Sequence, residues 1–431
     1  MASLTEIAVS EGAVPEVDIA IAGGGMAGLT LAWALLRARP TLRLAVIEQQ
    51  GAVERSVSFD SRSIALAAAS VQQLQAWQLW PELAAKACPI RHIHVSDRGH
   101  FGKCYLTAEQ FGLTEFGAVL EVEHLGQLLQ QRLQNVPQEQ LLMLQPDHIV
   151  ALQQQQDQVQ LQLASGKQLS ASLLVVCEGG LSPTRQLAGF ALSTEHYQQT
   201  AVIANLALAE PHQERAYERF TADGPIALLP LPGKRYSLVW TTSPEQAARL
   251  MQLGDSEFTA AAQQAFGYRA GVFVKSGARA SYPLTLRRSA SPVLHRIALA
   301  GNSLHSLHPI AGQGFNLALR DIAALVQLVE NHTQNQPTDK NSAAEIGGYA
   351  MLRQYQLARE ADMQQVMTLT DGLVRLFSNR SRLVALGRNL GLLGMLLCDD
   401  LKQPLAHQAM GYNAMQRLQA QLKEFSNHAA L

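Results

Sequence analysis

A mixed α/β fold is predicted by three stretches of the sequence. The apolar run VDIAIAGG, starting at Val17, is followed without a proline until Pro40 by the helix-forming segment AGLTLAWALLRAR. From Leu141 onward apolar and polar residues alternate with the period of a pleated strand, as at Val159, Leu161 and Leu163. Past the polar linker HTQNQPTDKNSAAE the chain turns helical, with Met, Leu and Arg at mixed spacing. Together these describe an α/β (α+β) protein: a Rossmann-like strand–helix–strand unit with a β-meander, an interleaved mainly-β layer and a C-terminal helical region.

The first unit carries a glycine loop, GGGMAG. Read as G-x-G-x-x-G it contains Gly23, Gly25 and Gly28. The first allows a tight turn, the second lets a pyrophosphate approach the backbone, and the third lets the helix pack on the strand. Unpaired N–H groups and the dipole at the helix start favour the phosphates. A second strand, LRLAVIE, ends at Glu48, 20 residues beyond Gly28, where a carboxylate can accept hydrogen bonds from an adenosine ribose with a free 2′-hydroxyl. This unit by itself does not separate NAD from FAD.

Two later segments bear on that choice. The meander HIVALQQQ, QVQLQLAS and QLSASLLVVCEGG ends in the wholly apolar LLVVC, as expected of a strand returning to a buried sheet. Directly after it come Glu178, Gly179 and, at the end of the same motif, Arg185. The second segment starts at Arg296: a strand, IALAG, then Gly301 and Asn302, then Pro309, Gly312, Gln313 and Gly314 ahead of a helix expected from about Phe315 to Asn331. Its N–H groups would suit the electron-rich pyrimidine edge of an isoalloxazine.

Composition removes several other functions. In 431 residues, 34 Lys+Arg against 35 Asp+Glu leave a net charge of −1, so no broad attraction to nucleic acid is expected. The four cysteines, Cys88, Cys104, Cys177 and Cys398, form no C-x-x-C pair, which fits a reducing compartment and offers no disulfide framework. The first sixteen residues lack the basic start and apolar stretch of a secretory leader and read as a loose tail. No window reaches the roughly 18 apolar residues of a membrane-spanning helix. A cytoplasmic protein is expected. His305 and His308 stand three apart, but no carboxylate pattern completes a ligand set, so no metal is expected.

The order GGGMAG, SFDSRSIAL, CEGGLSPTR and GNSLHSLHPIAGQGFN resembles the single-component flavoprotein aromatic hydroxylases, the family of para-hydroxybenzoate hydroxylase, over roughly residues 17 to 330. HVSDRGHFG, AVIANLAL, YERFTADGPIALLPL, SLVWT, ARASYPL and LVRLFSNR are similar to the ubiquinone-biosynthesis branch of that family. The resemblance implies FAD in the N-terminal unit, NAD(P)H as a transient reductant with no fold of its own, O2 as co-substrate, a C4a-hydroperoxyflavin and hydroxylation of a phenol ring. It implies a polyprenyl phenol as substrate and other proteins of the same biosynthesis as partners, and leaves self-association open.

By the same resemblance Gly23, Gly25, Gly28 and Glu48 match the adenosine-diphosphate site. Arg62 matches a basic residue that reaches the flavin side. Glu178, Gly179 and Arg185 fill the second motif, Gly301 and Asn302 the ribityl contact, and Pro309, Gly312, Gln313, Gly314 and Asn316 the loop beside the isoalloxazine. Arg62, Pro309, Gly312 and Gln313 are thereby candidate catalytic groups. Two positions depart from the family, which usually carries Asp where this chain has Glu178 and Asn302, so cofactor contacts are expected to be rearranged or weaker.

The expected organisation is discontinuous: residues 17–80, 105–190 and 285–330 form the FAD domain, 81–104 and 191–284 the substrate layer, and 340–431 the helical region. Phe220, Leu228, Leu229 and Trp240 are candidates to line the substrate pocket, although aromatic residues in strands more often belong to a core. The cluster LVRLFSNRSRLVALGRNLGLLGMLL, with Arg375, Arg380, Arg382 and Arg388, reads as a helical cap or as a surface for a membrane face or a partner. Two other readings compete: the same chemistry on a small soluble aromatic, and a non-catalytic FAD-fold lipid chaperone.

Overall fold

The computed structural model describes residues 14–51, 61–99, 102–306, 313–334, 346–378 and 410–429. Two large sheets organise these residues. The first runs in the order Val293–Leu294, Ile297–Leu299, Gln168–Val176, Glu16–Ala22, Leu44–Ile47, Leu141–Leu144, and the strands Val159–Leu163 and Ile149–Gln154 extend it as a meander from Gln168–Val176. The pairings among Ile297–Leu299, Gln168–Val176, Glu16–Ala22, Leu44–Ile47 and Leu141–Leu144 are all parallel.

Period two decides which residue faces which core. Ile19, Ile21, Leu44 and Val46 pack into one apolar cluster with the helix Met26–Ala38, while Ala20, Ala22, Ala45 and Ile47 pack into another on the opposite side. A sheet covered on both faces needs apolar residues at every position, hence the unbroken apolar runs Ile19 to Ala22 and Leu44 to Ile47. The first strand begins at Glu16, one residue ahead of the expected start.

The second sheet has nine strands, in the order His305–Ser306, Ala280–Ser289, Leu192–Leu208, Arg235–Thr242, Gly224–Leu231, Arg215–Thr221, His92–Asp97, Lys103–Thr107, with Phe273–Ser276 paired to Leu192–Leu208. A third, three-stranded sheet joins Ser63–Ala67, Gly117–Glu121 and Cys88–Ile90. The expected boundaries at 104/105 and 284/285 therefore fall inside strands. Lys103–Thr107 is the return arm of a hairpin with His92–Asp97, and Ala280–Ser289 runs on unbroken beside Leu192–Leu208.

Two helices, Pro244–Gln252 and Asp255–Phe266, cover one face of the nine-stranded sheet, where the sequence suggests a single helical insert. The first of them is announced by Ser243-Pro244: the Ser243 hydroxyl accepts from the Gln246 N–H at 3.2 Å, and the proline sits where a missing N–H costs nothing. The helix Gln313–Gln334 packs on Met26–Ala38 and is flanked by Tyr349–Ser378 and Tyr412–Ala429. Arg375 lies in Tyr349–Ser378, whereas Arg380, Arg382 and Arg388 lie outside the described residues. Among the described residues no helix is long and apolar enough to cross a membrane.

Candidate active site

The glycine loop follows the carboxyl end of Glu16–Ala22, and each glycine has its own steric reason. Gly23 has φ +104°, and a Cβ there would lie 2.8 Å from the Cys177 carbonyl carbon. A Cβ on Gly28 would sit 1.9 Å from the Gly23 carbonyl oxygen, so helix and turn meet with no room for a side chain. A Cβ on Gly25 would meet nothing within 4 Å. The open position is the N-cap of Met26–Ala38, where helix N–H groups are unpaired. Glu48 closes the loop from the side: its Oε2 accepts the Gly24 N–H at 2.6 Å and its Oε1 the Gln50 N–H at 2.8 Å.

Register brings the other motifs to the same edge. Ala22 pairs with Val176, and Val176 with Leu299, so the strand ends before Gly23, Glu178 and Gly301 stand side by side. Neighbouring strands lie about 4.8 Å apart, which puts the first and third motifs about 10 Å from one another. Gly301, at φ +61°, is hemmed by Ala27 and Ala318, each with its Cβ 3.4 Å from where a Gly301 Cβ would be. The buried Arg185 guanidinium donates to the Ser303 and Gly180 carbonyls, both at 2.9 Å, and the Gly179 N–H donates to the Ser303 hydroxyl at 3.1 Å.

Glu178 is engaged with its own motif. Its carboxylate accepts from the Ser182 hydroxyl at 2.6 Å, the Thr184 hydroxyl at 2.5 Å and the Thr184 N–H at 3.0 Å, which holds the short helix Pro183–Leu187 against the strand end. The methylene that distinguishes Glu from Asp lets it reach that helix. Glu178→Ala is expected to lower stability by about 1–3 kcal/mol, since buried donors lose their acceptor; urea unfolding monitored by circular dichroism checks this, and an unchanged midpoint refutes it.

Beneath the third motif lies a buried ionic cluster that sequence reading missed. Asp321, fully buried, accepts the Gly301 N–H at 2.9 Å, lies 3.1 Å from His305 Nε2, and accepts from Arg359 Nε at 2.7 Å. Arg359 also lies 2.7 Å from Asp362, which accepts from Arg320 at 2.7 Å. Burial pushes the Asp321 carboxyl up, but the Arg359 cation, His305 and the Gly301 N–H outweigh it and hold the carboxyl below its ordinary range. The available signal was the pair Arg320-Asp321 set inside the apolar helix NLALRDIAALVQLV, since unpaired charges do not survive burial.

Asn316 ties the same helix to the three-stranded sheet: its Nδ2 donates to the Ala65 carbonyl and its Oδ1 accepts the Ala67 N–H, both at 2.8 Å. Asn302 is exposed beside Gly301, and Arg62 is exposed at the start of Ser63–Ala67. The helix starts at Gln313, two residues ahead of expectation, and a Cβ on Gly314 would meet nothing within 4 Å. Pro309 and Gly312 lie outside the described residues.

A family model for an FAD binding domain matches residues 16–340. Ubiquinone hydroxylase UbiL of Rhodospirillum rubrum is 35% identical over 396 residues, 91% of this chain and 89% of that protein. The chain belongs to the FAD-dependent monooxygenases of ubiquinone biosynthesis. The 3-demethoxyubiquinol 3-hydroxylase of Escherichia coli is 30% identical over 397 residues, 91% of this chain and 98% of the relative. Among solved structures, p-nitrophenol 4-monooxygenase PnpA from Pseudomonas putida DLL-E4 shares the fold with a TM-score of 0.73 over 94% of this chain and 99% of that one, at 14% identity.

The residues present fit this flavoenzyme's cofactor. The open space at Gly25 and at Gly314, against the closed packing at Gly23 and Gly28, is what a nucleotide laid along the strand ends requires. Glu48 keeps acceptor capacity for ribose hydroxyls beyond its two backbone bonds.

The candidate substrate residues separate by face. Leu228 and Trp240 point away from the FAD-binding sheet, into the core with Phe258 and the helix Asp255–Phe266; Trp240 and Phe258 have ring centroids 6.3 Å apart. They are core, not pocket. Phe220 is buried at 4% exposure among Ile90, Leu106 and Phe116, and Leu229 is partly exposed against that cluster. The inner face is identified by two contacts: Asn205 Nδ2 donates to the Ser61 carbonyl at 2.8 Å, and Arg235 pairs with Glu121 at 3.0 Å.

Proposed function

We propose that this protein hydroxylates the ring of a polyprenylated phenol, with 2-polyprenyl-6-methoxyphenol as its substrate. One ring C–H becomes C–OH, O2 supplies that oxygen and a water, and NAD(P)H with one proton supplies the electrons. FAD, when bound, accepts hydride from NAD(P)H and activates O2. The observation that carries the reading is the in-register meeting of the ends of Glu16–Ala22, Gln168–Val176 and Ile297–Leu299, which lines one edge with three cofactor motifs. The names of the relatives UbiL and 3-demethoxyubiquinol 3-hydroxylase support the substrate class.

Within this reading the chain's own groups bind and orient. N–H groups at the start of Met26–Ala38 receive the pyrophosphate, Glu48 the ribose, and Asp321 with Arg185 hold the third motif in place. The sheet's inner face excludes water from the reacting ring, which strengthens every aligned donor around it.

Mass spectrometry of quinones from a strain lacking this gene tests the proposal. Accumulation of 2-polyprenylphenols lacking one ring oxygen, reversed by the gene, is expected; an unchanged quinone pool overturns it, and equal turnover of a tail-less aromatic by the purified enzyme points to a small soluble substrate. Arg62→Ala is expected to keep its flavin while at least half of the NAD(P)H consumed yields peroxide in place of product. Unchanged coupling, measured as product formed per NAD(P)H, removes Arg62 from the site.

A further inference from the structure

The inner face of the nine-stranded sheet carries a row of side chains that register aligns across six strands: Val95, Glu218, Ala227, Val239, Ile203 and Ala280. All six are partly exposed. The rows on either side are mostly shut: Phe220, Thr241 and Ala201 on one, Ala216, Ser237 and Asn205 on the other, are all buried. The row is therefore a shallow trough, about 24 Å from end to end at 4.8 Å per strand. It lies on the face that Asn205 and Arg235 turn toward the FAD-binding region.

Five of the six side chains are hydrocarbon and one is a carboxylic acid. An acid in an apolar trough loses hydration, and stability alone favours an apolar replacement. Among the described residues Glu218 has neither an ion-pair partner nor a hydrogen-bond partner. Burial alone pushes its carboxyl up to about 7. Among the described residues, Asp97 is a buried diagonal neighbour on this face and Arg235 is committed to Glu121, Arg287 of the same sheet reaches Gly180 in the second motif, and the helix Tyr349–Ser378, whose sequence includes Asp371 and Arg375, packs against Arg215–Thr221. Arg219 points to the opposite face, over the Phe266 ring.

We propose that Glu218 is the group that activates the phenol: its carboxylate receives the hydrogen bond of the substrate hydroxyl and takes its proton as the ring is attacked. The phenolic O–H bond breaks, a carboxyl O–H bond forms, and the electron pair left on oxygen enriches the ring carbon that receives the new oxygen. No electron changes hands in this step, and the proton leaves to solvent from the partly exposed acid after product departs. A base is most effective when its pKa lies near the working pH, where it is both deprotonated and basic. The inference rests on the substrate being a phenol.

Glu218→Gln keeps the size and removes the base. In the FAD-loaded protein we expect flavin content to be unchanged and single-turnover hydroxylation of a short-chain 2-prenyl-6-methoxyphenol to fall about 100-fold or more, with KM altered less than threefold. The wild-type rate should drop as the pH falls below about 7, as the base becomes protonated, and this limb should vanish in Glu218→Gln while Glu218→Asp keeps part of the rate. A second readout needs no turnover: the ultraviolet difference spectrum of bound 2-methoxyphenol at pH 8 should show the red shift of a neutral phenol that donates to a carboxylate in the wild type, and a smaller shift in Glu218→Gln. A Glu218→Gln rate within twofold of wild type, or a red shift that is equal in both proteins or absent from both, overturns the assignment. If the wild type hydroxylates no phenol, the functional reading fails, and the spectrum still decides whether Glu218 accepts a phenol's hydrogen bond.

Discussion

Gly25→Val is expected to yield a folded protein without flavin, and Gly28→Ala a protein that melts well below the wild type. The two sites are three residues apart in one loop. At Gly25 a side chain enters empty space, so the apoprotein is unaffected, but in the proposed function that space receives the pyrophosphate at the helix N-terminus. At Gly28 a single methyl must push the helix off the strand, because it would stand 1.9 Å from the Gly23 carbonyl oxygen. Overpacking of this kind costs about 1–3 kcal/mol or more. Flavin absorbance per protein and thermal melting separate the outcomes. Gly25→Val with full flavin, or Gly28→Ala with a wild-type melting curve, contradicts the division of labour in the loop.

Asp321→Ala is expected to be the most damaging change outside that loop. It leaves Arg359 facing Asp362 alone, strips His305 of its carboxylate and frees the Gly301 N–H. Removing one member of a buried charge cluster costs about 3–5 kcal/mol, because the remaining charge stays buried without compensation. The folded-state carboxyl is held below its ordinary value, so its contribution is complete at neutral pH and is lost as the pH falls below about 4 toward the folded-state value. Wild type and variant should therefore differ most near pH 7 and converge in acid. Urea midpoints across pH test this; a constant gap down to pH 3 refutes it.

What could be read from the sequence follows from which forces are local. Glycine spacing, the apolar run before it and the acidic residue after it lie within one chain segment, so the dinucleotide-binding unit was visible in full. Alternation at Val159, Leu161 and Leu163 likewise marked the meander. Period two shows that a strand has two faces but not what each face meets, and so Leu228 and Trp240 looked equivalent to Leu229. The helix that carries Phe258 and Phe266 decides between them, and it comes later in the chain. Charges that meet only after folding, as Asp321 and Arg359 do across 38 positions, leave just an oddly placed acid in an apolar helix. Glu218 is hidden in the sequence for the same reason: nothing local distinguishes it from a solvated glutamate in YERF.

The central parallel sheet is assembled from distant parts of the chain, and this sets an order on the ribosome. Gln168–Val176 has Glu16–Ala22 on one side and the earlier strand Val159–Leu163 along residues 168–171 of the other, yet the partner of Leu174–Val176, Ile297–Leu299, has not been made. At about 5–20 residues per second the growing chain carries that bare hydrogen-bonding edge for several seconds at least. An apolar strand end left unsatisfied on one side invites a second nascent copy to dock there. Yield in a heterologous host should accordingly respond to temperature and to holding chaperones during synthesis more than to any stabilisation of the finished molecule.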